Sequence, residues 1–176
     1  MLTIRRANSD DASAIAEIHV ATWRVAYHGQ IPDEILDGLD RVQRTSFWRN
    51  VLSSEHDVCV AVDDSTIVGF CSLIPSRDSD DDPAKVAEIA ALYVRAQNWR
   101  RGIGGSLCSH ALSIAARYRY AAVTLWVLAT NKAAIHFYEA IGFAPDGATK
   151  SELDPTGFNF SEIRMRIASS GMNRSI

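Results

Sequence analysis

Hydrophobic and polar positions alternate along this chain with two periods. Leu2 to Ala7 alternates as a first strand does, and Asn8, Ser9 and Asp10 then offer capping side chains to a helix through Ile15, Ile18 and Thr22. Phe47, Trp48, Val51 and Leu52 predict an apolar helical face. The run VCVAVDDSTIVGFCSLI predicts an antiparallel hairpin turning at Asp63 to Ser65. Ser76 to Asp82, with Arg77 and its aspartates, reads as a solvated loop before the central strand. Glu88 to Val94 is short and apolar, as a buried strand is, while Ile103, Leu107, Ala111 and Ile114 follow helical spacing. Val123 to Leu128 predicts another strand. Ala134, Phe137, Tyr138 and Ile141 predict a helix closed by Gly142. A last strand pair, near Phe143 and at Glu162 to Ile167, brackets a loop holding Pro145, Gly147, Pro155 and Gly157. A loop of that length either covers a site or is a mobile connector.

The elements add up to an α/β chain in the order βααβββαβαββ, with a mixed, mostly antiparallel central sheet and helices on both faces. At 176 residues, a single domain over residues 1–168 is expected, followed by a flexible tail at 169–176. Hydrophobic residues make up 47% and charged ones 22%, the balance of an ordinary globular protein. The net charge of −3 argues against a general nucleic-acid or anionic-membrane binder. No apolar run reaches spanning length and the N-terminus has no signal-peptide pattern, so a cytoplasmic protein is expected. Cys59, Cys71 and Cys108 have no metal-ligand spacing, and no metal is expected. Cys59 and Cys71 could face each other across the hairpin.

The chemistry concentrates between the strand ending at Val94 and the helix entered at Ile103. Arg100, Arg101, Gly102, Ile103, Gly104, Gly105 and Ser106 stand where a helix begins, and the N–H groups of that end bind anions. Glycine admits a phosphate close to the backbone, and arginine adds charge-assisted hydrogen bonds. A pyrophosphate would fit. The same residues would also serve as a tight turn with solvated arginines. The P-loop pattern is absent, and a dinucleotide GxGxxG would need a glycine where Leu107 stands.

LYV, then RRGIGGSL, then LWVLATNKAAIHFYEAIGF together resemble the GNAT superfamily of acetyl-CoA-dependent N-acyltransferases, and the likeness runs from Ile4 to Ile167. The family loop often begins with Gln or Arg three residues before the first glycine, whereas here that residue is Trp99. The resemblance implies a GNAT-like fold whose fourth and fifth strands splay apart to admit acetyl-CoA as co-substrate. It implies pantetheine pairing by the backbone of Leu92, Tyr93 and Val94, and a hydrogen bond from Asn131, which could equally cap the helix behind it. It implies Glu88 as the acceptor's proton acceptor through water, against a plain reading as a carboxylate paired with Lys85 or an arginine. Tyr138 would donate to the leaving sulfur, against a buried structural tyrosine. Trp23 and Tyr27, at i and i+4, are core by spacing and walls of the acceptor pocket by resemblance.

The expected activity is direct transfer of acetyl to a primary amine of a small molecule. A non-catalytic acyl-CoA sensor is the alternative, and homodimerisation is left open. Cys108 has no paired histidine within reach, which disfavours an acyl-cysteine route.

Overall fold

A computed structural model describes residues 1–54 and 56–172. The chain groups into two compact units, Met1–Ile74 with Ala91–Ala111, and Pro75–Ala90 with the chain from Leu112. Strand order is β1-β2-β3-β4-β5-β7-β6.

In the first unit, β1 (Thr3–Arg6) pairs antiparallel with β2 (Asp57–Asp63), and β2 with β3 (Thr66–Pro75). The β2–β3 hairpin turns on Asp64 and Ser65 with φ of 44° and 68°, the left-handed pair that matches strand twist in a two-residue turn. Cys59 and Cys71 are register partners across it. Asn8 and Asp11 form a reciprocal capping box ahead of α1 (Ala12–Ala26), and Arg5 grips the Asp11 carboxylate at 2.7 and 2.9 Å. That guanidinium holds the Asp11 carboxyl below the usual carboxylate range. Next come α2 (Asp33–Asp37) and α3 (Arg41–Leu52), the latter capped by Asp40 through the N–H groups of Val42 and Gln43. Ile15, Ile18, Trp48, Val58, Val60 and Phe70 pack as this unit's core.

Two expectations change here. A five-residue helix, α2, has no place in the βααβββαβαββ order, because one turn after Pro32 is too short to leave a periodic signal. Phe47 does not join Trp48 in the core. It is 48% exposed beneath the Arg44 guanidinium, and Trp48 alone on α3 is buried.

Strand β4 (Val86–Val94) begins in the second unit and ends in the first. In the second unit β5 (Ala122–Leu128) runs parallel to it, and β7 (Asn159–Ala168) pairs antiparallel with β5 from Ala122↔Ala168 to Leu128↔Glu162. On β7 lies β6 (Ala144–Leu153), and α5 (Lys132–Ile141) ends on Gly142 with φ of 112°. The other helix, α4 (Ile103–Arg117), also crosses between the units.

The expected long loop after Phe143 is instead mostly strand. Pro145 and Gly147 lie within β6, an edge strand on which proline's missing N–H breaks no outer ladder, and the register shift between Pro145 and Thr149 absorbs Gly147 at φ 93°. The loop left over is a short turn, with the Asp154 carboxylate accepting from the N–H groups of Thr156 and Phe158. Of the expected tail, Ser169–Met172 form a helical turn anchored by Ser169 N–H on the Ala121 carbonyl, and residues 173–176 lie outside the described residues.

Candidate active site

In the first unit, β4 ends on a loop built around one carbonyl. The oxygen of Val94 accepts from the Trp99 indole N–H at 2.6 Å and from the Thr22 hydroxyl at 3.3 Å. A 3₁₀ turn at Ala96–Asn98 follows, then Arg100 at φ 59° and Gly102 at φ 79°, and α4 starts at Ile103. The left-handed backbone at Gly102 is one that glycine adopts without strain. The N–H groups of Ile103, Gly104 and Gly105 have no carbonyl one turn back to bond. Ser106 N–H is already used, on the Gly102 carbonyl at 3.0 Å, as is its hydroxyl at 3.2 Å. The usable donors therefore stop one residue earlier than the sequence suggests.

The chemistry of this turn fits a pyrophosphate. Arg100 and Arg101 are exposed and α4 has no acidic residue in its first turn. A Cβ placed on Gly102 or Gly105 would meet nothing within 4 Å, so the space in front of the backbone is open. Ile103 is buried and offers only its backbone.

Upstream of the loop, Leu92 and Tyr93 are half-buried, and the Val94 carbonyl is taken by two side chains, which leaves it no lone pair suited to a pantetheine amide. Trp23 and Tyr27 stand edge to face at 5.0 Å, and the Trp23 indole N–H donates to the Tyr93 hydroxyl at 2.9 Å. His19 stacks on Tyr93 at 4.9 Å and accepts on Nδ1 from the Trp48 indole at 3.1 Å. Burial, helped by the Arg44 charge, lowers the His19 pKa to about 3, so the ring is neutral. Trp23 and Tyr27 are thus wired into the aromatic cluster while remaining half-buried.

In the second unit, the β4–β5 ladder pairs Val86↔Ala122, Ala87↔Val123 and Glu88↔Thr124. Both strands continue past the last registered pair. Glu88, at that last pair, is buried. Arg77 donates to it through Nε at 3.1 Å, through Nη2 at 2.5 Å and through its backbone N–H at 3.3 Å. The same contact raises the Arg77 pKa further above its ordinary value. Tyr138 is buried on α5, with its ring edge to face with Phe137 and Phe143. Asn131 caps α5, its Oδ1 accepting from Ala134 N–H at 3.1 Å.

The Ser76 to Asp82 loop is exposed at Arg77, Ser79, Asp80 and Asp82, as a solvated loop is, but three of its aspartates are held in ion pairs. The Asp78 carboxylate accepts from the Trp126 indole and from Arg164, Asp80 pairs with Arg164 at 2.7 and 2.8 Å, and Asp81 pairs with Arg166 at 2.7 Å. Arg164 is buried, and it holds the Asp80 pKa down to about 2. The expected alternative for Glu88, pairing with an arginine, is what the structure shows, the arginine being Arg77, whereas Trp126 and Arg164 did not stand out in the sequence. A signal existed: Arg164 and Arg166 alternate with the apolar Ile163, Met165 and Ile167, which puts both arginines on one face of β7.

This chain belongs to the acetyltransferase (GNAT) family, whose profile matches residues 13–143. It is an acyltransferase. Over 164 residues it is 27% identical to the uncharacterized N-acetyltransferase YuaI of Bacillus subtilis (strain 168), covering 93% of this chain and 91% of YuaI. Its fold is similar to that of YncA from Salmonella typhimurium, solved with acetyl-CoA, at a TM-score of 0.73 and 21% identity over 96% of this chain and 94% of that one. It is also similar to the PaiA N-acetyltransferase from Thermoplasma acidophilum, solved with coenzyme A, at a TM-score of 0.71 and 20% identity over 96% and 99% of the two chains. Among the described residues, no helix is long and apolar enough to cross a membrane.

Proposed function

We propose that the protein transfers an acetyl group from acetyl-CoA directly to a primary amine of a small molecule. The observation that carries this reading is the open turn at Arg100 to Gly105, with unpaired helix-start N–H groups, two exposed arginines and no Cβ in front. Acetyl-CoA supplies an activated thioester.

Ile103, Gly104 and Gly105 N–H groups bind its pyrophosphate, and Arg100 and Arg101 add positive charge. Leu92 and Tyr93 offer backbone groups to the pantetheine arm, and Asn131 offers its Nδ2 donors, since Oδ1 is used by the cap. Glu88 takes the proton lost by the acceptor ammonium through a bridging water. Its two oxygens already accept from Arg77, so a direct contact with the amine is the less suitable route. Tyr138 gives its phenolic proton to the departing sulfur. Trp23 and Tyr27 bound the acceptor's pocket. A reducing, cytoplasmic setting suits the three buried free thiols.

Release of free CoA with a panel of amines tests the reading. Transfer to a small amine with steady CoA release supports it, whereas CoA binding without turnover on any amine would make the protein a sensor.

A further inference from the structure

Register places Glu88, Thr124, Trp126, Arg164 and Arg166 on one face of the sheet in the second unit. The loop from Ser76 lies across that face, with each of its contacts made by a different residue. Ser76 N–H donates to the Val86 carbonyl at 2.9 Å, Arg77 sits on Glu88, and Asp78 and Asp80 are held by Arg164. Arg77 is therefore fixed at both ends, by its backbone and by its guanidinium.

Its exposure is unequal to its partner's. The Glu88 side chain is 3% exposed and that of Arg77 is 65%. Nε and Nη2 face Glu88, while Nη1 has no partner among the described residues. The edge formed by Nη1 and Nη2 is thus the one that Glu88 leaves unused, on a side chain that is mostly exposed and already immobilised. An ordinary surface arginine must lose its rotamer freedom to bind an anion, whereas Arg77 has lost it to Glu88. Asp78 and Glu162 contribute negative charge nearby, but Asp78 is engaged by Arg164 and Trp126, and Glu162 by Lys150 at 3.1 Å.

We propose that the open edge of Arg77 binds a carboxylate of the acceptor, which makes the acceptors amino acids or other amines carrying a carboxylate next to the amine. The inference rests on Glu88 as proton acceptor. Two carboxylates on neighbouring edges of one guanidinium bring the acceptor's α-amine within a water of Glu88, and an amine at the end of a long chain is not held there. Polyamines, aminoglycosides and protein N-termini lack such a carboxylate and become poor acceptors.

Matched pairs give the test: methionine against 3-(methylthio)propylamine, and phenylalanine against phenethylamine, with kcat/KM read from CoA release. Wild-type protein should favour the carboxylate member by about 100-fold, the scale of a charge-assisted bidentate contact. Arg77→Lys, which keeps the charge and loses the fork, should shrink that ratio to about tenfold or less through KM. Glu88→Gln should lower kcat for both members and, because an amide holds the guanidinium less firmly than the carboxylate does, reduce the KM preference without abolishing it. A variant with Arg77→Gln and Glu88→Gln together leaves no buried charge unpaired, and equilibrium binding of the two members should then be equal. Equal use of both members by the wild type, or a preference that survives loss of Arg77, overturns the proposal. Should Glu88→Gln leave kcat unchanged while the preference holds, the proton role of Glu88 fails and the carboxylate anchor stands.

Discussion

The indole N–H of Trp99 donates to the carbonyl of Val94 across 2.6 Å, tying the loop that leaves β4 back onto the strand's last residue. Trp99 occupies the position where the family loop often carries Gln or Arg, and its ring here is a structural bolt 41% exposed. Trp99→Phe keeps most of the ring and removes that bond, at a cost of about 1 kcal/mol to stability. The KM for acetyl-CoA should rise several-fold with kcat at saturation nearly unchanged. Initial rates across acetyl-CoA concentrations check this, and an unchanged KM would remove Trp99 from any part in shaping the loop.

Gly104 lies in the first turn of α4, among the N–H groups assigned to the pyrophosphate. Gly104→Asp adds a side chain and a negative charge there, so CoA affinity measured by calorimetry should fall by at least about tenfold. Wild-type affinity in this variant would refute the pyrophosphate assignment.

Tyr138 is buried between Phe137 and Phe143, so Tyr138→Phe preserves the packing and deletes one oxygen. Loss of a general acid predicts a drop in kcat of roughly 10² with little change in CoA affinity. Near-wild-type kcat on the preferred acceptor would assign the sulfur's proton to solvent.

Cys108 is fully buried, and desolvation pushes its thiol up to about 12, which leaves almost no thiolate at neutral pH. An acyl-cysteine route through Cys108 is thereby disfavoured, and under the proposed direct transfer Cys108→Ala should remain active. An acyl-enzyme trapped by mass spectrometry in the wild type and missing from this variant would reverse that conclusion.

His19 gives the fold an acid-sensitive point. Its folded pKa of about 3 lies below the unfolded value near 6.5, so the unfolded chain binds the extra proton first. The stability associated with a neutral His19 is complete above pH 6.5 and is lost progressively as pH falls toward 3. At pH 5 the loss amounts to about 2 kcal/mol, at 1.36 kcal/mol per unit. Denaturant midpoints between pH 7 and pH 5 should show this slope, and His19→Gln should flatten it. Asp11, held low by Arg5, adds its own loss only below the ordinary carboxylate range.

Period-two and period-3.6 patterns made most elements legible. Asn8, Ser9 and Asp10 announced the start of α1, although the reciprocal cap is made by Asn8 with Asp11, and Asp63 to Ser65 announced the hairpin turn. Two kinds of contact were hidden. Pro145 and Gly147 look like loop residues because propensity is local, whereas an edge strand with a register shift tolerates both. The aspartates after Ser76 look solvated because their arginine partners lie more than 80 residues downstream, in β7. For the site, the glycine-bearing turn was legible from composition alone. The loss of Ser106 N–H to the helix could not be read without coordinates, and the pairing of Glu88 with an arginine was legible as an alternative without saying that Arg77 is the one.

Alternation along β7 bears on how the strand finds its place during folding. Ile163, Arg164, Met165, Arg166 and Ile167 face alternate sides, with Met165 and Ile167 buried on one and both arginines meeting aspartates on the other. A slip of one residue against β5 would drive two guanidinium groups into hydrocarbon and turn Met165 toward carboxylates. Every slip by an odd number of residues is therefore penalised twice, so the ionic loop acts as a proofreader of which face of β7 turns inward, and its weakening would be felt first as heterogeneous, slowly annealing refolding.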